Sequence, residues 1–160
     1  MEKHTIEAYY NSDSEILILG SFPSVKSREL GFYYAHPQNR FWRVLSKVFK
    51  EDIENNIESK KEFLKRNKIA LFDVIASCKI MGSSDSSIKN VRPNDIGKLL
   101  KNSKIEKIYV NGKTAFNLYN KYIKDKIGIE AIYLPSTSPA NATYSLEKLV
   151  SYYKILNNKK

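Results

Sequence analysis

The sequence predicts an α/β fold, a short and mainly parallel four-stranded sheet with helices on both faces. Apolar strand segments alternate along the chain with amphipathic helical ones, the order that builds parallel sheets. Three of the four strand segments run into polar or glycine-rich loops: Gly20-Ser-Phe-Pro-Ser24, Asn111-Gly112-Lys113 and Pro135 to Asn141. The fourth ends near Asp73. Open α/β sheets hold ligands outside the carboxyl ends of their strands, so these loops mark one edge as the place to seek a site.

Each element has its own warrant. Glu15 to Leu19 is an apolar run closed by Gly20, a buried strand ending in a turn. Arg40 to Phe49 is a helix, because Phe41, Val44, Leu45, Val48 and Phe49 form one apolar stripe. A charged helix comes next around Ser59 to Arg66, then a second strand over Ile69 to Ile75. Asn94 or Asp95 caps a short helix through Leu100 after Pro93. Ile108 to Val110 is a third strand, and Lys113 to Ile123 a helix burying Ala115, Phe116, Tyr119 and Ile123. Ala131 to Leu134 is a fourth strand, stopped by Pro135. Ser145 to Leu156 closes the series as a helix, with Asn141 or Thr143 available as its cap.

At 160 residues, with 42% hydrophobic and 28% charged side chains, the chain is expected to form one domain over 1–160 with its own core. Nothing in it is long and apolar enough for a membrane span or a secretory leader, which predicts a cytoplasmic protein without membrane contact. One cysteine, Cys78, and two histidines exclude a disulfide framework and a cysteine- or histidine-built metal centre from this chain. Lys plus Arg is 27 against 17 for Asp plus Glu, and the net charge of +10 favours a polyanionic partner such as nucleic acid. Lys60-Lys61 and Lys159-Lys160 read as solvated charge.

The loops carry the candidate chemistry. Gly20 lets the backbone pass close to a ligand and Pro23 stiffens the loop, although a plain structural turn explains both as well. Neither a phosphate-binding GxxxxGK[ST] nor a GxGxxG pattern is present. Phe32, Tyr33 and Tyr34 precede His36-Pro37, and aromatics in such a loop can stack on a nucleobase. Asn39 stands at a helix mouth, where an amide can cap the helix or orient a water or base edge. Phe41 and Trp42 read as core. The hydroxyls of Ser136, Thr137 and Ser138 in a proline-braced loop suit a phosphodiester. Asp73 in an apolar strand needs a partner or a ligand. His36 reads as a turn residue, Cys78 as a packed thiol, and His4 carries no signal.

Together these segments resemble the uracil-DNA glycosylase superfamily, nearest its hypoxanthine-DNA glycosylase branch. The resemblance rests on GSFPS at 20–24, FYYAHPQNRFW at 32–42, DVIASC at 73–78, GSSDSS at 82–87, NGKTA at 111–115 and LPSTSPANA at 134–142. It implies a three-layer α/β/α sandwich that flips a deaminated base, hypoxanthine above all, out of DNA and hydrolyses its N-glycosidic bond. It implies a monomer needing no metal or cofactor. By the same resemblance Asn39 takes the catalytic position, and Gly20, Ser21, Phe22, Tyr34, Asp73 and Asn111 the substrate. Tyr34 would stack on the base and Asp73 read its edge. Ser24, Lys113, Ser136, Ser138, Pro139, Ala140 and Asn141 would contact DNA. Relatives that excise uracil carry a water-positioning asparagine where this chain has Phe22, which turns the expectation away from uracil. The competing readings are a glycosylase for uracil or xanthine and a nucleic-acid-binding module without catalysis. A nucleoside hydrolase is disfavoured by the lack of an Asp cluster.

Overall fold

The computed structural model describes residues 1–157, so Lys159-Lys160 lie outside the described residues. Strands β2 (Ile16–Gly20), β3 (Ile69–Asp73), β6 (Lys107–Asn111) and β7 (Ala131–Leu134) form one parallel sheet in the order β3-β2-β6-β7. Successive side chains of β2 point to opposite faces, and both faces are covered. Ile18 joins Leu71 and Tyr109 under helices α2 (Phe41–Phe49), α3 (Ile57–Arg66) and α7 (Leu146–Tyr153). Leu17 and Leu19 join Ala70, Ile108 and Val110 against α4 (Ile96–Lys101) and α5 (Lys113–Tyr122). Burial on both sides is why these strands are continuous apolar runs rather than alternating ones. The three-layer α/β/α expectation holds.

Several predicted boundaries change. The run from Ile69 does not continue as one strand: it breaks after Asp73, and β4 (Ile75–Lys79) enters a second, antiparallel sheet. There β4 lies between β1 (Glu2–Lys3) and β5 (Lys89–Pro93). Both flanking strands are largely polar and exposed, which removes the apolar signature by which a strand is read. The break is held by Asn94, whose amide donates to both Asp73 O and Ile75 O, while Asp95 caps α4. Helix α1 (Val25–Leu30) lacks a sequence signal, being six residues long with Ser27 its one buried residue. Ser24 caps it and Gly31, at φ 80°, ends it in the left-handed conformation. Ser145, rather than Asn141 or Thr143, caps α7, which stops at Tyr153 before a 3₁₀ turn to Asn157. A short α6 (Lys124–Ile127) extends beyond α5.

Lys60 departs from the solvated reading. It is 6% exposed and lies with its ammonium 5.2 Å from the centroid of Trp42. Burial lowers its pKa, and the ring face partly replaces the lost water. Cys78 is a buried free thiol whose pKa burial raises, as expected of a packed cysteine.

Candidate active site

The chain leaves β2 toward β3 on one side and returns to β6 on the other, so the sheet has its switch point beside β2. The cavity found there measures 350 Å³, within the range of about 300–1,000 Å³ typical of small-molecule sites. Loops from all four strand ends of the parallel sheet contribute to its lining.

Parallel register sets Gly20 beside Asp73 at the edge of the sheet. A methyl group on Gly20 would fall 2.5 Å from Asp73 Oδ1 and 3.2 Å from the Tyr34 hydroxyl, so the glycine is what lets these groups converge. Asp73 is 3% exposed, and its Oδ2 accepts from His4 Nε2 at 2.8 Å. His4, which no sequence feature singles out, thus lies directly behind the site. Its ring is packed by the rings of Phe22, Tyr33 and Phe72. The signal that could have found it is weak: a histidine beside a strand too short to have a pattern.

Tyr34 has φ 55°, the left-handed region, at a cost of about 1–3 kcal/mol for a bulky side chain. One ring face stacks on Phe41 with centroids 3.9 Å apart, leaving at most the other face for a base. Its hydroxyl is buried, with no hydrogen-bond partner within reach among the described residues. Burial, with the negative charge of Asp73 adding to it, pushes the phenol far above its usual pKa and keeps the proton on oxygen. The Asn111 side chain lies close enough to that hydroxyl to work against the rise, with one of its two Nδ2 hydrogens donated to Thr137 Oγ1.

Asn39 is positioned by a closed network. Its Oδ1 accepts from Phe41 N at 2.9 Å and from Thr137 Oγ1 at 2.8 Å. Thr137 is fully buried, and its hydroxyl accepts from Asn111 Nδ2 while its backbone N–H donates to Asn111 Oδ1. Since Phe41 N–H and the Thr137 hydroxyl both need an acceptor, the oxygen of Asn39 is fixed on their side and its Nδ2 is the free group. Arg40, not Asn39, is the N-cap residue of α2; Asn39 stands one residue earlier and closes a turn onto Phe41 N, and that turn holds its oxygen away from the amine. The sequence offers Thr137 as one of three phosphate-facing hydroxyls; the structure makes it the buried link between Asn39 and Asn111.

The rest of the 136–141 loop divides. Ser136, Ser138, Pro139 and Ala140 line the cavity, with Pro139 and Ala140 exposed on its rim. Asn141 turns away, donating to Ser136 O. Arg40, unassigned by sequence reasoning, clamps the loop: its guanidinium donates to the carbonyls of Ser138, Asn141 and Tyr144. From the other side the Tyr153 hydroxyl donates to Pro135 O at 2.7 Å. Gly112, at φ 101°, passes so close that a Cβ there would lie 3.1 Å from Ser136 Cβ. Arg40→Met, which keeps the chain length without the donors, is expected to cost about 2 kcal/mol of stability, readable as a lower urea midpoint.

Phe22 is 8% exposed, with the Arg28 guanidinium 5.1 Å from its ring centroid, and supplies an apolar wall. Ser21 Oγ donates to Asp85 Oδ1 at 2.9 Å, bringing the 82–87 loop onto the cavity. Asp85 is exposed as a residue, but its carboxylate turns inward, and desolvation raises its pKa against the Ser21 hydrogen bond. Ser24 also lines the cavity while capping α1. Lys113 is exposed at the start of α5 and is not among the lining residues. His36 lines the mouth with Nδ1 accepting from Gln38 N, in keeping with a turn role. A larger groove of 720 Å³ meets the cavity at Tyr34, His36 and Asn39. Lys26, Arg43, Lys47 and Lys60 line it, with no carboxylate among the lining residues.

Fold and cavity together define an α/β/α protein with a polar-rimmed cavity at a sheet switch point, beside a cationic groove. The chain belongs to the Uracil DNA glycosylase superfamily, whose family profile matches residues 7–159. It is 36% identical over 144 residues to a Hypoxanthine DNA glycosylase of Methanosarcina barkeri, covering 88% of this chain and 89% of the relative. A Hypoxanthine DNA glycosylase of Methanosarcina acetivorans is 36% identical over 147 residues, covering 91% and 92% respectively. The fold also matches a solution NMR structure of a protein from Methanosarcina acetivorans assigned as a uracil DNA glycosylase, with TM-score 0.81, 33% identity and coverage of 99% of this chain and 100% of that one. No helix among the described residues is long and apolar enough to cross a membrane.

Proposed function

We propose that this chain is a monofunctional DNA glycosylase, acting as a monomer in the cytoplasm, that removes hypoxanthine from deoxyinosine flipped out of DNA. The observation behind this reading is the Asn39 amide, with its oxygen occupied twice over and its amine left free at a nucleobase-sized cavity. Hydrolysis breaks the bond between C1′ and the base nitrogen as water adds to C1′. Positive charge spreads over the sugar while negative charge collects on the departing purine. A fixed N–H donor in a secluded cavity stabilises that charge without having to reorganise. Asn39 Nδ2 is such a donor, directed at an acceptor of the base. Since Oδ1 has no acceptor capacity to spare, the amide does not take the proton of the water, which passes to solvent. Asp73 reads the base edge, Phe22 and Tyr34 wall the ring, and Ser136 to Ala140 meet the backbone around the gap.

The deciding experiment is base excision from labelled duplexes carrying one deoxyinosine or one uracil, followed by alkaline cleavage of abasic sites. Excision at deoxyinosine is expected. Excision at uracil alone would replace hypoxanthine as the substrate, and binding without excision of either would make the chain a binding module.

The cationic groove gives this reading a second handle. DNA running along Lys26, Arg43 and Lys47 displaces counterions, so Arg43→Gln/Lys47→Gln is expected to weaken duplex binding for every sequence. The slope of log K against log salt should fall by about 0.9 for each phosphate that the variant no longer neutralises. An unchanged slope would place the DNA elsewhere.

A further inference from the structure

Asp73 and Lys60 are the buried charged residues among those described, and they are treated differently. Asp73 meets His4 at 2.8 Å. The Lys60 side chain, 6% exposed, makes no hydrogen bond or ion pair with any described residue, and its ammonium lies against the face of Trp42, 5.2 Å from the centroid. Desolvation alone moves its pKa, so no neighbouring charge offsets the burial. An ammonium held out of water in this way is stabilised by any anion that reaches it.

The surroundings are built for one. Lys60 lines the 720 Å³ groove together with Lys26, Arg43 and Lys47, with no carboxylate among the lining residues. The start of α3 contributes Asn56 and Ile57 to the same lining. At the start of this ten-residue helix the first N–H groups have no intrahelical partner and carry partial positive charge. Asn56, the N-cap, accepts from Ser59 N through Oδ1, which leaves its Nδ2 as a further donor. Lys60 follows Asn56 by four residues, one helical turn, which brings amide and ammonium to one side of the helix. Glu58, the acid of that first turn, is exposed and does not line the groove.

We infer that Lys60, Asn56 and the first turn of α3 form a seat for a phosphate group in the wall of this groove. A compact oxyanion suits N–H groups converging at a helix start beside a point-charge ammonium. The seat is distinct from the base cavity and holds whether or not that cavity excises a base. It also differs from the groove's surface cations, since a desolvated ammonium selects one phosphate where exposed ones add general attraction. Two sources can supply the group: a diester of a DNA backbone lying along the groove, or a monoester at a strand end or on a free nucleotide.

The test begins with the wild-type protein. Lysine carrying ¹³C at Cε lets Lys60 be followed by NMR, apart from Lys26 and Lys47, which face it across the groove with His36 and Arg43. Trp42, the single tryptophan of the chain, reports on the same place by fluorescence. One probe is inorganic phosphate, and the other is an undamaged duplex with hydroxyl ends. An anion at the seat favours the charged amine, so with the probe bound Lys60 should keep its proton to a pH higher by about one unit or more. A response to the duplex alone assigns the seat to backbone diesters, and a response to phosphate alone assigns it to monoesters. A response to both supports a seat open to either. No response of Lys60 to either probe overturns the seat.

Variants separate binding from packing. Lys60→Met keeps the chain length without the charge. It should weaken the responding probe about 10–100-fold, the range for a lost hydrogen bond to a charged group, while holding or raising Tm. Asn56→Asp keeps a good N-cap but puts a carboxylate in the seat, so binding should fall at least about 10-fold with helix content unchanged. Lys65→Met, at an exposed position of the same helix, should bind as wild type does. If Lys60→Met lowers Tm and binds the probe like wild type, Lys60 is a packing residue and the seat falls.

Discussion

Asn39→Asp is expected to leave the protein folded and to slow base excision about 10²–10³-fold, the usual cost of removing one preorganised donor from a developing anion. The substitution is nearly isosteric. One carboxylate oxygen can still accept from Phe41 N and Thr137 Oγ1, so the turn into α2 and the link to Asn111 persist. The other oxygen replaces the free amine, turning a donor into an acceptor and placing negative charge where the purine is becoming negative. Asn39→Ala should be as slow and also less stable, by about 1 kcal/mol or more for the two hydrogen bonds its oxygen accepts. The pair is informative because a residue that drew a proton from water would be improved by a carboxylate. An aspartate variant as fast as wild type would therefore sink the donor role, whatever the alanine variant does.

Gly20→Ala is expected to be nearly as damaging, with a loss of about 100-fold or more in kcat/KM from misplacing a reacting geometry by an ångström. The added methyl would lie 2.5 Å from Asp73 Oδ1, closer than side chains tolerate. A free carboxylate would swing aside at little cost. This one is tied by His4 at 2.8 Å behind, and the Tyr34 hydroxyl, 3.2 Å from the new methyl, closes the other side. The strain therefore falls on the cavity wall at Asp73 and Tyr34 rather than on the core, and thermal stability should change far less than activity. Kinetics on deoxyinosine duplexes and a melting curve on the same sample check both halves. Wild-type kinetics would mean that the position of Asp73 Oδ1 does not matter to the reaction.

Neighbours in sequence proved a poor guide to neighbours in the site. Nothing near Asn39 in the chain announces that Thr137 orients it, 98 residues away, or that Arg40 beside it holds the loop carrying Thr137. Asp73 could be flagged as needing a partner, because a carboxylate in an apolar strand must have one. That the partner is His4 depended on β1 pairing with β4, and a two-residue strand has no periodicity to read. Lys60 shows the same blindness in reverse: one of a pair of lysines, it is buried over Trp42 only because α3 turns that face toward α2.

The parallel sheet, the helices that cover it and the edge that carries the cavity are all legible in the amino-acid order. They arise from apolar periodicity and from turn residues after strands, signals confined to a few consecutive positions. The lining of that edge, from Gly20 through Tyr34, Asn39 and Asp73 to Ser136, is legible too, because the loops lie together once the strands run parallel. The direction of each polar group is set only when the chain is folded. The oxygen of Asn39 is taken by Phe41 N and Thr137 Oγ1, Oδ2 of Asp73 is held by His4, and the hydroxyl of Tyr34 is left without a partner among the described residues. Hydrogen-bond polarity is settled by which donor or acceptor arrives from a distant part of the chain. No local pattern encodes it.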